Sequence, residues 1–313
     1  MPQSPSGVRV LDLGATGPED VVVVDGKVVT GVEDGRILRV DPDGGRVDTL
    51  ADTAGRPLGI ESLGDGRLLV CDARRGLLAV DPERGGVEVL CDEVAGRRMR
   101  FCNNAAVASG GTVYFSDSSL VHGIDNWRAD LIERTASGRL LRRSPDGAVD
   151  VIADGLELAN GVALAAAESY VAVAETGGYR VRRVWLSGER AGKSDLLVEL
   201  PGFPDNISTG DDGLIWITVT SPREPVLRFL HRAPVLARRL VARLPEQLQP
   251  GPKKVMRVQG VDIDGRVAHD LEGPGERYHM VTGVRAHQGR LWFGSLHESA
   301  IAVADAPNPL TRR

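Results

Sequence analysis

The segment at 202–219, "GFPDNISTGDDGLIWITV", contains two strand-like runs on either side of a turn. The first run begins at Asp205 and Asn206, and the second is rich in β-branched and aromatic residues. Such runs around a Gly-containing turn predict a β-hairpin. The arrangement occurs six times along the chain, and this repetition decides the fold.

Two patterns define the repeat. The first is a turn followed by strand-type residues, and it occurs as "DGKVVTG" (25–31), "DGRLLVCD" (65–72), "GGTVYFSD" (110–117), "ESYVAVAE" (168–175), "DGLIWITV" (212–219) and "QGRLWFGS" (288–295). The second precedes each turn, and its six copies are "EDVVV" from Glu19, "LGIES" from Leu58, "NNAAV" from Asn103, "NGVAL" from Asn160, "DNIST" from Asp205 and "TGVRA" from Thr282. Each unit is therefore predicted to hold an inner strand, a turn and a second strand.

Several units continue with third and fourth strands, as in "GRILRVDP" followed by "RVDTLAD". Six four-stranded units predict an all-β protein, a six-bladed β-propeller that forms a single domain over residues 1–313. The ring is expected to close by pairing "VRVLDL" (8–13) with "AIAVAD" (300–305), because closure removes exposed strand edges.

A long segment at about 222–250 separates the fifth and sixth units. Its apolar residues recur near helical spacing and arginines fill the positions between them, which predicts an amphipathic helix or two short ones divided at Pro234. A helical insertion that caps one face of the propeller is the simplest interpretation. Contact with a membrane surface or with a second copy of the chain, forming an oligomer, remains open.

The bulk composition excludes several classes of function. A net charge of −5 and a pI near 5.8 give no indication of nucleic-acid binding. No transmembrane segment and no secretory signal are recognisable, so we expect a cytoplasmic protein. The three cysteines, Cys71, Cys91 and Cys102, lack metal-binding spacing and are expected to be reduced thiols.

The first residues of the six inner strands are expected to lie at one height around the propeller axis. Four of them, Glu19, Asn103, Asn160 and Asp205, carry carboxylate or amide oxygens. Unpaired carboxylates in a narrow channel repel one another and lose hydration, whereas a hard cation on the axis removes both costs. Ca²⁺ takes such oxygen ligands, and zinc is disfavoured because no His or Cys occupies these positions. The sequence therefore predicts one axial Ca²⁺.

The second residue of each inner strand adds two open questions. Asn206 is predicted to be a further ligand of the same ion, or else a turn residue. Asp20 and Asn104 point differently along their strands, because side chains alternate, and a second, structural ion at these two residues is possible.

The chain resembles a known group through its motifs. It is similar to the strictosidine synthase-like branch of the calcium-dependent phosphotriesterase superfamily, which also contains gluconolactonases, regucalcin and paraoxonases. The motifs that carry the resemblance are "GPED" (17–20), "GRPLGI" (55–60), "FCNNAAV" (101–107), "YFSDSS" (114–119), "ELANGVAL" (157–164), "AETGGYRVRR" (174–183) and "LPGFPDNI" (200–207). The resemblance implies a six-bladed propeller with a central Ca²⁺ and esterase or lactonase chemistry.

The resemblance also bears on individual residues. The family's metal ligands match Glu19, Asn103, Asn160 and Asp205, and Asn206 matches the further amide of paraoxonases. Two positions depart from the family. Leu58 stands where paraoxonases carry a catalytic His, and Thr282 stands where true strictosidine synthases carry a catalytic Glu.

We expect hydrolysis of a small-molecule ester or lactone whose carbonyl is polarised by the metal. Asp205 is a candidate general base as well as a ligand, and His122 and His297 are candidate catalytic residues if they reach the mouth of the channel. Two alternatives remain open. One is a non-hydrolytic biosynthetic enzyme that catalyses condensation, cyclisation or isomerisation, and the other is a non-catalytic metal-containing binding propeller.

Overall fold

Six antiparallel sheets of four strands each surround a central axis in the computed structural model of the protein, which describes residues 2–307. The inner strands of successive sheets contact one another in chain order, and the inner strand of the sixth sheet contacts that of the first. The arrangement confirms the predicted six-bladed propeller.

The first three blades follow the chain from the inner strand outward. Blade 1 consists of β2 (Val21–Val24), β3 (Lys27–Gly31), β4 (Arg36–Val40) and β5 (Val47–Asp52). Blade 2 consists of β6 (Pro57–Ser62), β7 (Leu68–Asp72), β8 (Gly76–Val80) and β9 (Val87–Cys91), and a small hairpin of β10 (Glu93–Val94) and β11 (Arg97–Arg98) follows it. Blade 3 consists of β12 (Cys102–Val107), β13 (Val113–Asp117), β14 (Gly138–Arg143) and β15 (Val149–Leu156).

The remaining blades complete the ring. Blade 4 consists of β16 (Ala159–Leu164), β17 (Tyr170–Glu175), β18 (Arg180–Trp185) and β19 (Ser194–Glu199). Blade 5 consists of β20 (Gly202–Thr209), β21 (Ile215–Pro222), β22 (Val255–Val261) and β23 (Val267–Pro274). Blade 6 consists of β24 (Val281–His287), β25 (Arg290–Ser295), β26 (Ala300–Asp305) and β1 (Arg9–Asp12).

The N-terminal strand closes the ring as the sequence predicts. β1 pairs antiparallel with β26, and Leu11 lies opposite Ile301. Leu11 is buried in a cluster that also contains Ile301 and Trp292, whereas its neighbour Val10 is exposed. The outermost strand of blade 6 thus comes from the opposite end of the chain, and its packing holds the two ends together.

Within residues 2–307, the three α-helices lie together at one end of the propeller, while a short 3-10 helix (Gly188–Arg190) connects the outer strands of blade 4. Helix α1 (Trp127–Glu133) follows the second strand of blade 3, and helices α2 (Pro225–Leu230) and α3 (Val235–Ala242) form the predicted insertion in blade 5. The two insertion helices are separated near Pro234, whose ring fits the start of α3 but not a helix interior. α1 packs against α3, so the three helices form one cap. Within residues 2–307, no helix combines the length and apolar character needed to cross a membrane.

Candidate metal centre and cavity

Interrupted strand pairing turns the predicted ligands toward the axis. In blades 2 to 6 the register between the first two strands shifts across the first two residues of the repeat, for example between Pro204 and Ile207 in blade 5. Asp205 and Asn206 lie within that shift and leave the regular ladder. A bulge of this kind re-aims side chains, and here its repetition places equivalent residues around one axis.

The four predicted ligands at the first position line the same cavity. Glu19, Asn103, Asn160 and Asp205 are among its lining residues. Asn206 lies beside them, and its Nδ2 donates hydrogen bonds to Oε1 and Oε2 of Glu19 at 3.0 Å. The structure therefore brings all five predicted metal ligands together, from blades 1, 3, 4 and 5.

Hydroxyl groups orient two of the amides. Asn103 Nδ2 donates to Ser118 Oγ at 3.0 Å, and Asn160 Nδ2 donates to Thr176 Oγ1 at 3.2 Å. These contacts leave Oδ1 of each Asn free. Among the described residues, Oδ1 of Asn103, Asn160 and Asn206 has no hydrogen-bond partner although it is buried. Buried amide oxygens without a partner are costly, and three of them at one site indicate that the site is built for a cation.

Among the described residues, the carboxylates of Glu19 and Asp205 also lack a fully compensating positive charge. Burial raises the pKa of Glu19 well above its usual value, and the nearby charges of Asp205 and Asp20 raise it further, against the lowering effect of Arg56. Burial also raises the pKa of Asp205 to about 8, with a further contribution from Asp20 and an opposing hydrogen bond from Asn160. Both groups resist ionisation unless a positive charge lies between them.

The donor set fits a hard cation. It consists of carboxylate and amide oxygens, which suit Ca²⁺ or Mg²⁺ rather than zinc. The oxygens come from four blades, so the site suits a divalent cation that accepts oxygen ligands from several directions. Across residues 2–307, no group of three or more His, Cys, Asp and Glu side chains is arranged to hold a metal, so this site depends on its amides.

A second ion at Asp20 and Asn104 is not favoured by the contacts of these residues. Asp20 Oδ1 accepts from Val21 N, and Asp20 Oδ2 accepts from Asn104 Nδ2 at 3.0 Å and from Ile60 N at 3.3 Å. Asn104 Oδ1 accepts from Val162 N at 2.8 Å. Donor hydrogens thus occupy the oxygens that a cation would need. Burial raises the pKa of Asp20 to about 6, and the positive charge of Arg285 opposes this rise.

This second layer is close-packed because Gly alternates with the polar residues. Asp20, Asn104 and Asn206 occupy the second position in blades 1, 3 and 5, and Gly occupies it in the other blades. A Cβ at Gly161 would collide with the backbone of Asn206 and Ile207 in the next blade. The glycines therefore let neighbouring inner strands approach closely, and the polar side chains of alternate blades fill the axis.

A cavity opens above the predicted ligands. Its walls are mainly apolar, and the cap helices contribute Trp127, Leu131 and Leu227. The insertion also supplies Glu224 and the turn Pro250–Pro252 at the rim. A concave apolar space above a few convergent polar groups is the usual form of a small-molecule site.

The two candidate catalytic histidines do not reach this space. Among the described residues, no histidine lines the cavity. His122 lies before α1, where its Nε2 is 3.5 Å from Oε1 of Glu133. The ring centroid of His297 is 6.3 Å from that of His279, and burial lowers the pKa of His297. The nearby Ile124 and Leu296 do line the cavity, so the backbone of both loops approaches it while the two imidazoles lie elsewhere.

Sequence reasoning missed the orienting role of Ser118 and Thr176. The sequence motifs alone assign no role to Ser118 or Thr176. Both directly follow the second strand of their blade, at equivalent positions of the repeat, so aligning "DS" at 117–118 with "ET" at 175–176 was the available signal. In blade 2 the corresponding pair is Leu58 and Ala73, which are apolar and belong to the buried cluster under the cap.

Comparisons with known proteins agree with this architecture. The strictosidine synthase family model matches residues 103–189, and the strictosidine synthase-like N-terminal model matches residues 6–40. Adipocyte plasma membrane-associated protein of Mus musculus is 32% identical over 320 residues, which cover 94% of this chain and 76% of that protein.

Two solved structures share the fold at low identity. A gluconolactonase from Xanthomonas campestris superposes with a TM-score of 0.70 at 19% identity, over 97% of this chain and 92% of that chain. Regucalcin from Agrobacterium tumefaciens, described as a calcium-binding protein, has a TM-score of 0.68 at 15% identity over the whole of both chains. The family models, the identity to the mouse protein and the shared propeller lead to one conclusion: the chain belongs to the strictosidine synthase-like family.

Proposed function

We propose that this protein is a calcium-dependent hydrolase of an apolar ester or lactone. The observation that carries the proposal is the polar floor of the cavity. Glu19 and Asp205 have raised pKa values there, and among the described residues Oδ1 of Asn103, Asn160 and the neighbouring Asn206 has no hydrogen-bond partner. A cation held at this floor would lie next to the carbonyl of a substrate that is bound between the apolar walls.

In this proposal Glu19, Asn103, Asn160, Asp205 and Asn206 hold the ion. When bound, Ca²⁺ supplies a Lewis acid that polarises a carbonyl oxygen and offsets the negative charge that develops on it. Ser118 and Thr176 keep the Asn103 and Asn160 oxygens directed at the axis through the contacts described above.

The chain's own groups account for binding and proton transfer. Trp127, Leu131 and Leu227 bind the apolar part of the substrate and exclude bulk water from the floor. A carboxylate oxygen of Asp205 is the proposed acceptor of the proton of the attacking water, because Asp205 is one of two carboxylates on the floor of the cavity, next to the place of the substrate carbonyl. Glu224 is acidic as well, but it lies at the rim and caps α2 through Val226 N.

Two structural neighbours agree with this proposal, since one is described as a gluconolactonase and the other as the calcium-binding protein regucalcin. At identities of 19% and 15%, the likeness itself shows the fold alone.

The test replaces Asp205 by Ala and measures calcium binding by calorimetry together with hydrolysis of a panel of aryl esters and lactones. We expect the wild-type protein to hydrolyse members of the panel with Ca²⁺ and to lose activity in chelator. D205A is expected to lose both calcium binding and turnover. E224Q is the matched control, since it alters an acidic group of the same cavity away from the floor, and it should keep calcium binding. If D205A keeps both calcium binding and hydrolytic activity, the proposal is wrong.

A second candidate is a non-hydrolytic reaction at the same site. The observation that favours it is the lack of a histidine among the described lining residues, together with Leu58 and Thr282 at the positions of the family's acid–base residues. Turnover in water labelled with oxygen-18 separates the two, because a hydrolase places a water oxygen in the carboxylate of its product, and a condensing or isomerising enzyme does not add a water molecule.

A further inference from the structure

The outer surface of the helical insertion is unusually apolar. Of the fifteen large apolar side chains that are exposed within residues 2–307, seven lie in this segment, and Phe229 and Leu236 are 74% and 70% exposed. The seven are Val226, Phe229, Val235, Leu236, Leu240, Leu244 and Leu248. Single exposed apolar residues are ordinary, but a contiguous group of this kind marks an interaction surface.

The packing of the cap does not explain these residues. The inner side of the insertion is covered separately, since Leu227 is buried and Leu230, Val241 and Ala242 pack against the cluster around α1. Leu236 and Leu240 are four residues apart on α3 and share the opposite face, and the exposed Leu244 follows the end of that helix. The insertion therefore has two apolar faces, one over the cavity and one toward solvent.

The solvent-facing side is also cationic. Segment 222–250 contains six arginines and two glutamates, within a chain whose net charge is −5. The ion pairs within residues 2–307 use Arg223 and Arg239 but not Arg228, Arg232 or Arg243, which are exposed. Arg228 and Arg232 line a surface groove beside Tyr179 and Phe229, so free positive charge and exposed apolar surface adjoin each other.

We propose that this outer face, defined by the seven exposed apolar residues with Arg228, Arg232 and Arg243, docks on a lipid bilayer that contains anionic headgroups. Apolar side chains beside arginines on short helices match the interfacial region, where the former enter the acyl boundary and the latter meet phosphates and carboxylates. A symmetric contact between two copies would instead place the arginines of one copy against those of the other, which is repulsive.

Docking would also orient the cavity. Glu224, Leu227 and Pro250–Pro252 belong to the insertion and line the cavity rim, so a docked insertion places the mouth close to the bilayer. If the proposed hydrolysis of apolar substrates holds, this position lets them enter from the lipid phase. The docking itself does not depend on that reaction, and it is tested without any substrate.

The experiment measures co-sedimentation of the full chain with vesicles of phosphatidylcholine alone and of phosphatidylcholine mixed with phosphatidylserine. We expect binding to the anionic vesicles that weakens as salt is raised. R228Q/R232Q should lower the partition constant on the order of twenty-fold, because each arginine near the surface contributes roughly fivefold. F229S/L236S/L240S should remove binding at every salt concentration tested.

Matched controls separate docking through this face from non-specific adsorption to vesicles. L196S/I263S alters apolar side chains that are 48% exposed outside the insertion and should bind like the wild type. F229L/L236M keeps the face apolar and should also bind, and circular dichroism confirms that each variant is folded. Equal binding by the triple serine variant, or absence of binding by the wild type, overturns the proposal. A third outcome also overturns it. If the wild type binds no vesicles but forms a dimer in light scattering, and the triple serine variant is monomeric, then the face holds a second copy of the chain.

Discussion

At the residue scale, the candidate metal centre depends on the orientation of amides. An Asn side chain presents either a donor or an acceptor, so its position on the axis does not by itself make it a ligand. Ser118 and Thr176 accept from the amide nitrogens of Asn103 and Asn160 and thereby direct the oxygens inward. The hydroxyls are thus positioning residues whose effect is exerted through the ligands.

This role predicts the effect of S118A and T176V on calcium binding. Each should weaken calcium affinity by about 10-fold to 100-fold, the usual effect of losing a group that orients a metal ligand. Calorimetric titration with Ca²⁺ measures it. S116A is the matched control, because Ser116 is also a buried hydroxyl on β13 but accepts from the backbone N of Asn104 instead. S116A should keep calcium affinity; a loss equal to that of S118A would show that any buried hydroxyl of this strand has the same effect.

At the element scale, the ring is held by one short strand. β1 has four residues, and its alternation of exposed and buried side chains leaves Leu11 as its buried contact with β26 and blade 1. A propeller needs such closure because an open ring exposes the edge strand and the faces of the first and last blades.

Substitutions in β1 test the closure. L11A should lower the free energy of unfolding by about 3 kcal/mol, since it leaves a cavity where a buried leucine was. V10A on the same strand removes a side chain that is 44% exposed, and it should cost less than about 0.5 kcal/mol. Chemical denaturation of both variants measures the difference. Equal values for the two would mean that β1 contributes little to the closed ring.

At the scale of the whole molecule, the propeller collects oxygens from residues far apart in the chain. Four blades of the chain separate Glu19 from Asp205, yet both side chains line one cavity on the axis. Blades 1, 3 and 4 supply one group each and blade 5 supplies two, and the ring holds these groups at a spacing that a single hairpin has no means to produce. The raised pKa values follow from this convergence of charge and from burial.

These pKa values predict how calcium stabilisation depends on pH. Without calcium, the folded protein binds a proton at Asp205 that the unfolded chain releases near its ordinary pKa, so stability falls as pH rises from about 4 to about 8. Calcium requires the ionised carboxylate and competes with that proton. The increase in melting temperature on adding Ca²⁺ should therefore grow between about pH 6 and about pH 8.5 and then level off. Thermal melts in Ca²⁺ and in chelator measure it. D205N should flatten the dependence, and an increment that stays constant with pH in the wild type contradicts the expectation.

The sequence by itself determined the architecture and the oxygen set. The hairpin at 202–219 and its five counterparts predicted six blades, the pairing of 8–13 with 300–305 and the helices in 222–250. Glu19, Asn103, Asn160 and Asp205 could be proposed as ligands because equivalent residues of a repeat occupy equivalent positions around its axis. Local hairpin formation and repetition carry this information, and both are visible in a single chain.

The tertiary structure alone decided the rest. It showed that His122 and His297 lie outside the cavity, that the oxygens of Asp20 and Asn104 already accept hydrogen bonds, and that Ser118 and Thr176 orient the ligands. The cap is a further case, since α1 and the insertion meet over the axis although about 90 residues separate them. The physical reason is the same throughout: side-chain direction and loop packing depend on contacts between distant segments, which no periodic pattern records.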